Sequence, residues 1–281
     1  MWLDMVTRDL VRLALAEDLG RGDLTTEAVI PADATARASV WIKEPSRVCG
    51  TEVAAWVFHE VDPGLQVTVA CADGIDLEGP RVVMRVEGAA RSILGAERTA
   101  LNFLSRLTGI ATAARDAVRE IAGTRARILD TRKTTPGWRA LEKYAVRVGG
   151  GWNHRFALDD MVLIKDNHIA IAGGVREAVS RAKARAGFAH KVEVEVESLD
   201  QLEEAIAAGA DVVLLDNMDL EIMREAVRRT GGRVPLEASG NMRPGRLRAV
   251  AETGVDFISM SHITMRAQAV DVGLDIDMDL G

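Results

Sequence analysis

No apolar run in the 281-residue chain approaches the roughly 18 residues that a membrane-crossing helix needs. The segment Met1 to Leu10 carries Asp4, Arg8 and Asp9 where a secretory signal would be apolar, so a soluble cytoplasmic protein is expected. Cysteine is scarce. Cys49 and Cys71 lie in separate apolar segments without metal-type spacing, which predicts buried free thiols rather than a disulfide or zinc framework. No G-x-G-x-x-G follows the first strand-like segment of the α/β region, which removes the usual mark of a dinucleotide site. Low-complexity linkers are also missing, so two closely packed domains are expected. A net charge of −7 argues against a nucleic-acid binder, and there is no run of aromatics that would form a base-stacking platform.

That average hides a basic middle. From Arg98 to His168 there are 13 Lys or Arg against 7 Asp or Glu, a net of +6 that leaves −13 for the remainder. Such a stretch is either a solvated helix face or an anion site, and its finer pattern distinguishes the two.

Residues 4–19 place Val6, Leu10, Leu13 and Leu15 at helical spacing and end near Gly20. Arg37–Ile42, Leu65–Cys71 and Arg81–Val86 alternate apolar and polar residues, as strands of a half-exposed antiparallel sheet do. After Gly95, the residues Ala96, Ala100, Leu101, Leu104 and Leu107 return to helical spacing. The N-terminal part, residues 1–108, therefore reads as a small α+β domain.

Residues 109–281 read as an α/β barrel domain. Strand-like segments occur at Ile128–Leu129, Met161–Ile164, Lys191–Val196, Val212–Leu215, Val234–Leu236 and Val255–Ile258. The last four begin about 21 residues apart, near the length of a short βα unit. Ser198 and Gln201 have capping-box spacing, and Gly209 stands where a helix would end. Thr135, Pro136 and Gly149 similarly predict a helix over 136–148. Six strands make an incomplete barrel, with an open doubly wound sheet as the alternative.

A barrel gathers its chemistry at the C-terminal ends of its strands. There the chain places Asp130-Thr-Arg132-Lys133, Lys165-Asp-Asn-His168, Glu195, Asp216-Asn217, Ser239-Gly240-Asn241 and Ser259-Met-Ser261-His262. Taken singly, such polar residues merely open the next loop. In register on six units they predict a site. The glycines at 149–151 give a flexible loop that delivers His154 and Arg155. With Arg132, Lys133 and Lys165 these would hold a substrate carrying several negative charges, since guanidinium forks match carboxylates and phosphates. Lys191-Val-Glu-Val-Glu-Val-Glu197 alternates, which fits either an exposed edge strand or carboxylates facing a barrel interior. In the second case Glu195 and Asp216 would suit ribose hydroxyls or a Mg²⁺ held partly through water. The turns at Ser239 and Ser259 precede expected helices and would offer backbone N–H groups to a phosphate, or serve only as caps. His168 is read as structural, and His59, His190 and His262 as structural or surface residues.

Ala16-Glu-Asp-Leu-Gly-Arg-Gly-Asp-Leu-Thr-Thr26, Glu97-Arg-Thr-Ala-Leu-Asn102, Asp130-Thr-Arg-Lys-Thr-Thr-Pro-Gly137, Asn153-His-Arg155 and Met161-Val-Leu-Ile-Lys-Asp-Asn-His168 resemble the quinolinate phosphoribosyltransferases. So do Glu193-Val-Glu195, Leu215-Asp-Asn217 and Gly254-Val-Asp256. The resemblance implies an N-terminal open-faced sandwich and an incomplete C-terminal barrel, assembled as a homodimer. It implies that phosphoribosyl pyrophosphate (PRPP) and quinolinate combine with decarboxylation to give nicotinate mononucleotide for de novo NAD biosynthesis. Arg132, His154, Arg155 and Lys165 would line the quinolinate site, joined by Arg98 of the partner subunit. Lys133, Glu195 and Asp216 would face PRPP and Mg²⁺, while Ser239, Gly240, Asn241, Ser259 and Ser261 would hold the 5-phosphate. Ser239-Gly-Asn241 departs from the Ser-Gly-Gly of many relatives, and Met260-Ser-His-Ile263 from their Val-Gly-Ala-Leu. Trp138 and Trp152 stand where smaller aliphatic residues are expected, which predicts packing substitutions. Two competing readings remain: a Schiff-base aldolase using Lys165, and a paralogue that binds a small anion without turnover.

Overall fold

The computed structural model describes residues 5–277, which form two compact units. Of these, residues 5–115, 135–150 and 266–277 make the first; 116–134 and 151–265 make the second.

The first unit opens with α1 (Met5–Leu19), α2 (Leu24–Val29), β1 (Thr35–Ile42), β2 (Ser46–Arg47) and α3 (Thr51–Val61). Strands β3 (Gln66–Val69), β4 (Asp76–Leu77) and β5 (Arg81–Ala89) follow, and then α4 (Ala90–Glu120), 31 residues long, of which residues 116–120 are counted with the second unit. Of the expected apolar positions, helix α1 buries Leu15 and half-buries Leu10 but leaves Val6 and Leu13 exposed; Thr7 and Val11 complete its buried stripe. The first position of the expected helix, Asp4, lies outside the described residues. Asp73 starts α3 from a distance: its carboxylate accepts from Gly50 N, Thr51 N and Thr51 Oγ1, and Tyr144 donates to it as well. Helix α4 begins earlier than the apolar spacing indicates, and a division at 108/109 falls inside it. Gly109 explains the tight packing of its middle, where an added Cβ would lie 1.9 Å from the Gln268 carbonyl oxygen.

The second unit supplies β6 (Arg127–Leu129), while α5 (Arg139–Val148) returns to the first. Helix α5 starts at Arg139, later than expected. Thr135 spends its hydroxyl on the buried Glu142 carboxylate (2.8 Å) instead of capping, and Gly149 closes the helix as anticipated. Trp138 is indeed a packing residue, stacked 4.6 Å from Phe103.

The remaining elements of the second unit are β7 (Val162–Ile164), α6 (Asp166–Ala172), α7 (Val175–Arg185), β8 (Val192–Val196), α8 (Leu199–Ala207) and β9 (Val212–Asp216). They continue with α9 (Leu220–Thr230), β10 (Leu236–Ser239), α10 (Leu247–Ala251), β11 (Phe257–Ser259) and α11 (His262–Met265). Helix α9 shows how the sequence sets these boundaries: Asp219 accepts from Ile222 N, Arg228 and Arg229 sit in the last turn, and Gly231 ends it at φ 54°. At α8, Ser198 caps Gln201 N, but the Gln201 amide accepts from Glu197 N, one residue before the expected box partner.

The last strand, β12 (Val272–Ile276), completes an antiparallel sheet of order β12-β1-β5-β3 in the first unit. The six strands of the second unit are parallel in the order β6-β11-β10-β9-β8-β7. From β7 to β11 each strand lies beside its successor, without the reversal that defines a doubly wound sheet. β6 and β7, at the two ends, are not paired, so the barrel is incomplete. Strand β8 lies inside this sheet, which excludes the edge-strand reading of its acidic alternation. Strand β10 runs from Leu236 to Ser239, starting where the expected segment ends.

Candidate active site

A cleft of about 650 Å³ opens where the second unit's strands end. Period-two alternation lets a strand send two side chains toward it. Lys165, Glu195, Asp216 and Ser239 form a rim, with Leu163, Leu214 and Glu237 one pleat deeper; Glu193, two residues before Glu195, is buried and does not line the cleft. Every rim residue was expected from its strand end. Arg132 and Lys133 come from beyond β6, and Ser259 from the end of β11. A larger groove of about 850 Å³, lined by Leu158, Met161 and Arg185 among others, contains none of these rim residues.

Asp130 carries the 149–155 loop to the site. It is fully buried and accepts from Asn153 Nδ2 (2.6 Å) and His154 N (2.8 Å). Trp152 runs alongside β6, exchanging backbone hydrogen bonds with Ile128 and Asp130, and its ring lies 4.1 Å from the Arg127 guanidinium. Both anchors aim His154 and Arg155 into the cleft.

Arg155 is buried, and its Nη1 donates to Met161 O (2.9 Å). Burial, followed by the nearby positive charge of Arg132, pushes its pKa down, and Glu193 opposes that shift. A clamp of this kind gains most from an anionic ligand, which relieves the repulsion between its own cations. Lys165 contacts Glu195 Oε2 as an ion pair.

The deeper layer escaped sequence reading. Glu193 and Glu237 are 1% and 2% exposed, and His154 Nε2 lies 3.0 Å from the first and 3.5 Å from the second. These three residues have the ligand count of a metal site. His154 Nδ1 accepts from Arg155 N (2.7 Å), which leaves Nε2 on the side of the two carboxylates. Burial first, and then the charge of Glu193, pushes the Glu237 carboxyl up to about 8. His154 lines the cleft while its Nδ1 is held by Arg155 N. The available signal was glutamate at alternate positions of strands that are otherwise apolar.

Other expected residues are placed as follows. Gly240 and Asn241 line the cleft at φ 89° and 53°. No helix follows them directly: α10 begins at Leu247 and has five residues, which corrects the expectation of a helix N-terminus at this turn. Ser261 does not line the cleft; its carbonyl accepts from Thr264 N and Met265 N. His168 is structural, its Nδ1 accepting from Lys165 N (3.0 Å). Arg98 is exposed on α4 and is absent from the cleft. Cys49 and Cys71 are buried free thiols, as expected.

Comparison with known proteins returns two adjoining family matches: the quinolinate phosphoribosyl transferase N-terminal domain over residues 23–108 and the C-terminal domain over 110–275. The chain is 42% identical over 275 residues to the nicotinate-nucleotide pyrophosphorylase (carboxylating) of Mycobacterium leprae, covering 96% of each protein. It is 40% identical over 262 residues to the probable enzyme of that name from Bacillus subtilis, covering 93% of this chain and 90% of the relative. The solved nicotinate-nucleotide pyrophosphorylase of Francisella tularensis superposes with a TM-score of 0.94 at 43% identity, over 99% of this chain and 98% of that one.

Proposed function

Because the chain belongs to the quinolinate phosphoribosyl transferase family, we propose that it transfers the phosphoribosyl group of PRPP to quinolinate, releasing pyrophosphate, CO₂ and nicotinate mononucleotide. This is the step by which de novo synthesis reaches a pyridine nucleotide. The observation that carries the proposal is the pairing, in one cleft, of Arg132, Arg155, Lys133 and Lys165 with Glu195 and Asp216 on the neighbouring strand ends. Cations there match a dianionic pyridine and a polyphosphate; carboxylates match ribose hydroxyls.

Arg132, Arg155 and Lys165 hold the two carboxylates and so set the pyridine nitrogen against the ribose C1. The bond from C1 to the pyrophosphate oxygen breaks as the nitrogen bonds to C1, and Lys133 stabilises the departing anion. The nitrogen is then cationic. Its ring draws in the electron pair of the bond to the adjacent carboxylate, CO₂ leaves, and the ring carbon takes a proton from solvent. Substrate electronics drive this decarboxylation, so no covalent nucleophile is assigned.

Glu195 and Asp216 are hard oxygen donors from adjacent strands with no soft ligand between them, a set that fits Mg²⁺ bound partly through water. When bound, Mg²⁺ would neutralise charge on the pyrophosphate. The protein acts as a homodimer in the cytoplasm, with Arg98 of the partner subunit completing the quinolinate clamp. Among the described residues, no helix is long and apolar enough to cross a membrane.

The test is release of pyrophosphate and CO₂ by purified protein given PRPP, Mg²⁺ and quinolinate, with nicotinate in parallel. Both products with quinolinate alone are expected. Release with nicotinate only overturns the substrate, and no release with either overturns the reaction.

A further inference from the structure

We propose that Asn241 is a positioning residue that, acting through Asn217, holds the Asp216 carboxylate in the orientation with which it receives PRPP. This rests on the function assigned above and extends it to residues that touch no reacting atom.

Asn217 and Asn241 are the two non-glycine residues at positive φ among the described residues, at 52° and 53°. A left-handed backbone is unfavourable for any side chain with a Cβ, and such conformations persist where the surroundings over-determine them. Here three links do so. Asn217 N donates to Ser239 O (3.1 Å), Asn241 Nδ2 donates to Asn217 Oδ1 (3.1 Å), and Asn217 Nδ2 donates to Asp216 Oδ2 (2.8 Å). Gly240 lets the two turns approach this closely, since a Cβ there would lie 2.2 Å from Asn217 Oδ1.

The direction of the chain follows from chemistry. An ionised carboxylate only accepts hydrogen bonds, so the Asn217 amide must turn its nitrogen toward Asp216. Its oxygen then faces Asn241, which must answer with a donor. The polarity set at Asp216 thus runs through to the Ser239-Gly240-Asn241 turn, and one oxygen of Asp216 is committed to the chain. The Asn241 side chain thereby ties the turn assigned to the 5-phosphate to the carboxylate assigned to the ribose and Mg²⁺.

The test is Asn241→Gly, which the left-handed backbone accommodates and which removes only the side chain. PRPP is titrated calorimetrically with Mg²⁺ into protein saturated with phthalate, a dicarboxylate without a nucleophilic nitrogen, so no turnover occurs. Loss of one neutral hydrogen bond should weaken PRPP binding about three- to tenfold, with phthalate affinity unchanged. Asn217→Gly should weaken it further, and the double variant should be no worse than Asn217→Gly alone. Normal PRPP binding by Asn241→Gly, equal weakening of both ligands, or multiplying penalties in the double variant would each overturn the proposal. Wild-type protein that bound no PRPP would overturn the assigned function along with it, whereas the other failures leave that function standing.

Discussion

Glu237 occupies a strand position that burial would normally reserve for an aliphatic residue, and it is kept there by a proton. Its folded pKa of about 8 lies above the ordinary 4.5, so folding favours proton uptake. The resulting contribution to stability is complete below 4.5 and is lost as pH rises through about 8. The groups facing it are Glu193, His154 and the hydroxyl of Ser259. Glu237→Gln, which mimics the protonated acid, should flatten the decline of melting temperature across that window; an unchanged slope would assign the titration elsewhere. Arg155→Lys tests the clamp above it. Lysine keeps the charge but loses the planar fork and the Nη1 bond to Met161, so KM for quinolinate should rise about ten- to a hundredfold. KM for PRPP should change little, and a parallel rise in both would mean a general distortion of the cleft. At this scale the rim was legible and the floor was not. Lys165 and Asp216 stand at strand ends, where a polar residue interrupts an apolar run, and Glu195 stands late in the alternating strand that it shares with Glu193. Glu193 lies within an alternating segment that fits an edge strand equally well, and Glu237 just beyond a strand expected to stop at Leu236.

At the scale of elements, two glycines in α4 should behave oppositely. A methyl group at Gly109 meets backbone atoms of Gln268, at 1.9 Å and 2.9 Å, that cannot turn aside. Gly109→Ala should therefore cost at least about 1 to 3 kcal/mol. At Gly95 the nearest atom is Leu19 Cδ2 at 3.4 Å, so Gly95→Ala keeps its room and should gain up to about 1 kcal/mol of helix propensity. Denaturant midpoints would show both signs, and a neutral Gly109→Ala would mean that the Gln268 segment can move away. Spacing reveals which stretches of α4 are helical, but it cannot tell a glycine that weakens a helix from one that another segment requires. Boundaries were lost for a similar reason. Thr135 has the chemistry of a cap, yet Glu142, seven residues later, claims its hydroxyl. The polar stretch after Ser239 suggested a helix that starts only at Leu247. In each case a contact made by tertiary structure displaced a sound local preference.

For the whole molecule, repeated strand-then-helix units were enough to predict a parallel sheet, whereas the choice between barrel and doubly wound sheet depends on strand order, which local pattern does not encode. The same holds for Arg98. Only the family resemblance of Glu97-Arg-Thr-Ala-Leu-Asn102 marks it as functional; it is exposed on α4, and the cleft's lining residues do not include it. If Arg98 of the partner subunit completes each clamp, a symmetric dimer has two sites, each built from both chains. Arg98→Ala and Lys165→Ala homodimers should then both be inactive. After mixed refolding, half of the dimers pair one variant with the other. In these, one site carries both defects and the other carries neither, so the mixture should recover roughly a quarter of wild-type activity. If Arg98 instead served its own chain's site, every site in the mixture would keep one defect and activity would stay at the level of the separate variants. Pyrophosphate release by the refolded mixture, set against the two variants refolded apart, separates the alternatives.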